Sequence, residues 1–243
     1  MPTAVLVHGA FHGGWCWRKV SALLAAEGWT VFAPSLTGLG ERAHLATPET
    51  GLETWVQDVL ALFEVEELSD VVLCGHSAGG AVVTAVADRI PERISHLIYL
   101  DAVVPHSGES VFDVVGDAEG VPAAFRALAA ESDGWTIPPV LFPPEAFGVT
   151  DPEDAAWLAR RMRPQPLRVL ADPIVLSGAP DLITSQTYVR CEGFPVEYGE
   201  RMVERASTER KAAVHRTPAG HDVMITNPEF VARLIVSSRK TAK

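Results

Sequence analysis

The chain of 243 residues carries 20 Lys and Arg against 31 Asp and Glu, a formal net charge of −11, with 47% apolar and 21% charged residues. That is ordinary globular composition, long enough for one large domain or two small ones around a sizeable core. An acidic balance without any basic run excludes nucleic acid or an anionic membrane surface as the main partner and leaves a small neutral ligand open.

The N-terminus enters a short apolar run, Ala4–Val7, with no basic prelude, so neither a signal peptide nor a membrane span is expected there and a cytoplasmic protein is. A glycine-rich turn follows, then a helical pattern near Trp17–Glu27, the run Thr30–Ala33, and a second helical pattern near Thr54–Glu66. Val71–Cys74, a helix near Gly79–Asp88 and the run His96–Leu100 complete the first half. Short continuous apolar runs separated by helices point to parallel strands buried on both faces and joined by right-handed crossovers. Between about Val103 and Leu182 this rhythm breaks into a segment rich in proline and aromatic residues, with helical stretches at Val121–Ala130 and Pro152–Arg163 and no β run. A linker would be polar, so this segment is expected to be a lid. The sheet resumes with Thr187–Cys191 and Lys211–His215, and Asn227-Pro228 opens a last helix over Pro228–Ser237. Three cysteines, Cys16, Cys74 and Cys191, are far apart and lack metal-ligand spacing, which points to free thiols.

The strongest chemical signal is Gly75-His76-Ser77-Ala78-Gly79, a G-x-S-x-G match placed directly between a buried strand and a helix. Such a turn pushes its serine into strained geometry with the hydroxyl exposed, and Ser77 is the candidate nucleophile. A serine capping its helix is the plainer alternative. A serine hydroxyl needs a base. His221, in Pro218-Ala-Gly-His-Asp222 between the last strand and the last helix, stands at the right sheet edge and in the right chain order after Ser77. His8, His12 and His76 are expected to shape the first loop or touch a ligand, and His44, His96, His106 and His215 to be structural. An oxyanion needs two donors: the backbone N–H of Ala78 and one from His8-Gly-Ala-Phe-His-Gly-Gly14. Ala10 is the choice there and Phe11 the alternative, on the premise that Gly9 provides the tight turn.

The acid that orients the histidine must lie between Ser77 and His221 in sequence. Asp101, closing the strand after the elbow, and Glu192, closing the next, both qualify; Asp101 is favoured because a short side chain at a strand tip is held more rigidly. The glycines of the first loop also suggest a dinucleotide turn, but the second strand ends Phe32-Ala-Pro-Ser35 with no acid to hold a ribose, which excludes a nicotinamide-dependent role.

Taken together, Val5-Leu-Val-His-Gly-Ala-Phe-His-Gly-Gly-Trp-Cys-Trp17, Gly75-His-Ser-Ala-Gly-Gly80, Tyr99-Leu-Asp-Ala102 and Gly220-His221 resemble the α/β-hydrolases, within them the branch of plant methylesterases, hydroxynitrile lyases and bacterial pyrethroid-hydrolase-like esterases. The resemblance spans nearly the whole chain. It implies an α/β-hydrolase fold, with a mainly parallel six-stranded sheet flanked by helices and a helical cap after the fourth strand. The core would span 1–102 and 183–243 and the cap 103–182, with no cofactor and carboxylester substrates. In the lyases of that branch a threonine follows the first-loop histidine and a lysine follows the catalytic one. Gly9 and Asp222 occupy those positions here, which looks like the esterases. Esterases of the branch commonly carry an aspartate after the strand ending at Cys191, where this chain has Glu192.

The expectation is a serine esterase using Ser77, His221 and Asp101, with the N–H groups of Ala10 and Ala78 as oxyanion donors and no metal. Phe11, His12, Trp135, Phe142 and Phe147 are the candidate substrate contacts, implying a small apolar or aromatic ester. The partner is that small molecule, with a homodimer left open. A lyase, dehydratase or cyclase on the same scaffold is the alternative, and a ligand-binding protein with a vestigial triad is a third.

Overall fold

A computed structural model describes residues 1–117, 120–177, 183 and 185–241 of the chain. The Val- and Leu-rich runs form β1 (Thr3–Val7), β2 (Thr30–Phe32), β3 (Val71–His76) and β4 (Ile94–Leu100). After an intervening segment come β7 (Gln186–Cys191) and β8 (Ala213–Thr217). Together they make one six-stranded sheet in the order β2-β1-β3-β4-β7-β8, in which every pairing is parallel. Every residue of β3 and β7 is buried, as parallel strands covered on both faces must be. The crossovers are α1 (Arg18–Ala26), α2 (Leu52–Val65) and α3 (Gly79–Arg89), and the chain closes with α10 (Pro228–Thr241), which packs against α1 while α2 packs against α3. Trp17, Trp55, Tyr99 and Tyr188 anchor the core. Buried rings usually have their polar ends satisfied, and three of these four do, whereas the Trp17 indole N–H finds no acceptor among the described residues. The Trp55 indole donates to the Thr37 carbonyl at 2.9 Å, the Tyr188 hydroxyl donates to the Ala102 carbonyl at 3.1 Å, and the Tyr99 hydroxyl meets Thr84 Oγ1 at 2.9 Å.

Register fixes what emerges where. Val7 pairs with Gly75, and Leu100 pairs with both His76 and Val189. The first residues beyond β1, β3 and β4 (His8, Ser77 and Asp101) therefore leave the sheet along one edge. Cys191 pairs with Thr217 at the same level, so the loop carrying His221 starts there too.

Two features depart from the sequence expectation. The last strand starts two residues later, at Ala213, because Lys211 sits at φ +56°, a left-handed conformation that no strand contains. The segment between β4 and β7 is not purely helical. It holds α4 (Val111–Val115), α5 (Val121–Glu131), α6 (Pro152–Ala159) and α7 (Leu167–Ala171), but Thr136–Ile137 (β5) and Gln165–Pro166 (β6) pair as a small antiparallel ribbon. The ribbon is too short to leave a sequence pattern. The expected boundary at 182/183 lies outside the described residues. Two further short helices, α8 (Tyr198–Glu204) and α9 (Val223–Thr226), flank β8. Among the described residues no helix is long and apolar enough to cross a membrane.

Candidate active site

Three residues just beyond strand ends take up left-handed backbone: Phe11 after β1 at φ +65°, Ser77 after β3 at +53° and Asp101 after β4 at +45°. Such conformations are costly outside glycine and persist only where the surroundings over-determine them. For Ser77 the surroundings are explicit. Its N–H donates to the Leu100 carbonyl at 3.3 Å, and its carbonyl accepts from Gly80 at 3.0 Å and Val103 at 3.1 Å. A side chain at Gly79 would stand 2.6 Å from the His8 carbonyl, so only glycine lets α3 start this close to the first loop. Gly9 plays a different part from the one expected. Its backbone is not left-handed; the loop's strained residue is Phe11. A Cβ on Gly9 would come 2.6 Å from Ser77 Cβ, so this glycine provides clearance beside the elbow rather than a turn.

The His221 imidazole donates from Nδ1 to Asp101 Oδ2 at 2.7 Å. That leaves Nε2 as the nitrogen free to serve the cavity, the arrangement a general base needs. The ring lies against Phe194, with centroids 4.3 Å apart, and Phe147 at 5.9 Å, both near parallel. Asp101 is itself held firmly. Its Oδ1 accepts from the Cys191 amide at 3.0 Å and from Arg190 Nη1 at 2.9 Å, and both Asp101 and Arg190 are buried. A buried carboxylate closing an apolar strand needs such partners. Arg190 also donates to the carbonyls of Cys191 at 2.8 Å and Phe194 at 2.9 Å, tying the β7 tip to the turn that follows it. Glu192 lies elsewhere: its side chain is 52% exposed and reaches Arg216, at 3.4 Å.

Beneath this pair sits a buried polar cluster. His76 Nε2 donates to the His221 carbonyl at 3.1 Å, and burial, with His221 and His12 nearby, pushes the His76 imidazole well below its ordinary pKa. His8 accepts from the Leu36 amide on Nε2 at 3.0 Å, so its Nδ1 carries the hydrogen and donates to the Gly9 carbonyl at 2.8 Å. Burial pulls His8 down to about 4. His12 Nδ1 faces the Ala10 carbonyl at 2.7 Å and Nε2 faces Asp222 Oδ2 at 2.9 Å. Burial disfavours charge on His12, but the Asp222 carboxylate and the two hydrogen bonds outweigh it and raise the pKa above the ordinary histidine value. Asp222 is wholly buried and does not line the cavity.

Ser77, His221, Ala10 and Ala78 all line one cavity, open at its mouth, whose empty space together with that opening is about 720 Å³. Its walls include Phe11, Val103, Val111, Phe125, Phe142 and Phe147, together with Phe194, Val196 and Tyr198. Of the expected contacts, Phe11, His12, Phe142 and Phe147 line it. Trp135 does not: it stands half-buried in the turn entering β5, its amide held by Asp133 at 3.0 Å and its carbonyl by Leu167 at 2.9 Å. Aromatic richness of the segment gave no means of telling its inward rings from the others. Of the two loop amides considered as oxyanion donors, that of Phe11 already donates to Gln165 Oε1 at 3.1 Å. The Ala10 amide has no protein acceptor among the described residues.

Arg190, Phe194 and Gln165 were not singled out from the sequence. The signal for Arg190 was present, as a cation inside the otherwise apolar run Tyr188–Cys191. Gln165, 154 residues from its partner Phe11, left no local sign.

A family model described as the alpha/beta hydrolase family matches residues 4–234. Over 98% of this chain and 99% of the relative, the sequence is 38% identical to the carbendazim hydrolyzing esterase of Nocardioides sp. (strain SG-4G). It is 28% identical to methylesterase 10 of Arabidopsis thaliana, covering 95% of this chain and 89% of that protein. Among solved structures, an extracellular alpha/beta-hydrolase from a Paenibacillus species superposes with a TM-score of 0.85 at 24% identity, covering 98% of this chain and 99% of that one.

Proposed function

Because the chain belongs to the alpha/beta hydrolase family and is a carboxylesterase-type hydrolase, we propose that it cleaves a small, largely apolar ester by nucleophilic catalysis at Ser77. Ser77 Oγ attacks the ester carbonyl carbon while His221 Nε2 takes the hydroxyl proton. The same imidazolium then protonates the departing alkoxide, and water repeats the sequence in reverse to release the acid. Asp101 holds the imidazole in the tautomer with hydrogen on Nδ1 and stabilises the imidazolium as it forms. The N–H groups of Ala10 and Ala78 receive the oxyanion. The segment 103–182 acts as a cap, its rings accepting the apolar acyl or alkyl part of the substrate.

The observation that carries the proposal is the 2.7 Å contact to a buried Asp101 from His221, which lines the same cavity as the strained Ser77. Asp222 supports ester over cyanohydrin chemistry because it stands where a lysine cation would be needed to stabilise departing cyanide. The apolar walls support an uncharged substrate, because a charged one would lose its hydration there without gaining a partner. The experiment is a stopped-flow burst with a p-nitrophenyl ester. A rapid release of nitrophenol, about one equivalent per chain, followed by slower turnover marks the acyl-enzyme. Linear release at every ester concentration, unaffected by Ser77→Ala, would refute it.

A further inference from the structure

The first loop can be followed peptide by peptide. The Gly9 carbonyl accepts from His8 at 2.8 Å, the Ala10 carbonyl faces His12 Nδ1 at 2.7 Å, the Phe11 amide donates to Gln165 at 3.1 Å, and the Phe11 carbonyl accepts from Arg163 at 3.0 Å. The Ala10–Phe11 peptide is thus gripped at both ends, which keeps Phe11 at its strained φ of +65° and leaves the Ala10 N–H ungripped. The grip on the carbonyl end depends on His12. A carbonyl oxygen only accepts, so Nδ1 must carry a hydrogen; an ionised carboxylate only accepts, so Nε2, 2.9 Å from Asp222 Oδ2, must carry another.

We infer that His12 and Asp222 are positioning residues: as a buried imidazolium–carboxylate pair they hold the Ala10–Phe11 peptide so that the Ala10 N–H is presented to the oxyanion, and loss of one proton from His12 releases it. This rests on the hydrolytic reading of Ser77. The pair joins the loop after β1 to the residue next to His221, so it fixes the oxyanion donor relative to the base. On deprotonation the carboxylate retains the hydrogen on Nε2. Nδ1 then turns a lone pair toward the Ala10 carbonyl, and attraction becomes repulsion. The other titratable groups around the pair include His76, whose ring centroid is 6.0 Å from that of His12 and whose Nε2 lies 3.8 Å from Asp222 Oδ1, His8, and the buried thiols of Cys16 and Cys191. Burial pushes both of these histidines down and both thiols up, so none of them supplies a charge that replaces the imidazolium.

The test compares three variants on one aryl ester from pH 6 to pH 10. His12→Phe with Asp222→Leu removes both partners without stranding a charge. Its kcat is expected to fall about 30-fold with KM within about twofold, as for a misplaced oxyanion donor. Asp222→Asn keeps the grip through a neutral His12, since the amide donates to Nε2 and Nδ1 keeps its hydrogen. Most of kcat should return, and the alkaline fall in kcat expected of wild type should vanish. A double variant as fast as wild type, or an alkaline fall that persists in Asp222→Asn, overturns the inference. Ser77→Ala, run alongside, separates the two claims: if it still hydrolyses the ester, the hydrolytic reading itself fails. Should the double variant not fold, imidazole nitrogen shifts in wild type decide. Both His12 nitrogens protonated at pH 7 support the pair, and a single protonated nitrogen contradicts it.

Discussion

The sheet and the segment between β4 and β7 contribute to the same cavity in opposite ways. From the sheet come Ser77, Asp101 and the loops carrying Ala10 and His221, each set by ladder register, strained backbone and buried hydrogen bonds. From the intervening segment come mainly rings and aliphatic chains, with Phe142, Phe147 and Phe125 packed at centroid separations of 5.5 to 5.6 Å. Directional bonds tolerate little displacement, whereas packed rings can exchange partners at modest loss. The contrast teaches where change should be expensive. Substitutions at the strand ends should abolish chemistry, and those in the intervening segment should shift the substrate range.

The largest effect is expected for Ser77→Ala, which should lower kcat for an aryl ester by at least about 10⁴-fold while the melting temperature stays within a few degrees. Next comes Asp101→Asn, where a wrong imidazole tautomer should lower kcat by about 10³- to 10⁴-fold, against no more than about twofold for Glu192→Gln. Equal effects of the two would break the assignment of the acid. Arg190→Met should act on stability as well as rate. It strands the Asp101 carboxylate in the interior, and loss of one partner of a buried pair costs about 3 to 5 kcal/mol, measurable by urea unfolding.

A fourth expectation concerns pH. His8 and His96 are both lowered to about 4 by burial, whereas the unfolded chain protonates them near 6.5. Their contribution to stability is therefore complete above pH 6.5 and lost as pH falls toward 4. For His8 alone this is on the order of 3 kcal/mol. Urea midpoints at pH 7.5 and pH 5 should differ accordingly, and a flat profile would contradict the burial of these rings. His12 runs the other way: raised in the folded state, it favours folding at low pH and loses that contribution as pH rises through its folded pKa. The smallest effect belongs to the segment between β4 and β7. Phe142→Ala should raise KM several-fold, about 1 kcal/mol, with kcat nearly intact, while Trp135→Ala, outside the cavity, should leave KM unchanged.

How much was legible in the sequence follows the same division. The β runs announce themselves because burial on both faces demands unbroken Val, Leu and Ile, and the elbow because a strand–turn–helix with small flanks has few other uses. His221 and Asp101 could be named as candidates from chain order and strand ends, since parallel register carries such residues to one edge. Arg190 and Gln165 act across 89 and 154 residues through single contacts, for which a one-dimensional pattern holds no period. The misplacement of Trp135 has a related cause: in a segment of short helices and a two-residue ribbon, neither a 3.6 nor a 2.0 repeat lasts long enough to say which ring faces inward.

The central claim is that Ser77 is a nucleophile activated by the His221–Asp101 pair. Its most direct measurement is the intact mass and peptide map of the protein after treatment with a fluorophosphonate. One phosphonyl adduct on the peptide bearing Ser77, absent from Ser77→Ala and formed far more slowly in His221→Ala and Asp101→Asn, is the expected result. No adduct, or one formed on Ser77 at equal rate in all three backgrounds that retain the serine, would contradict it.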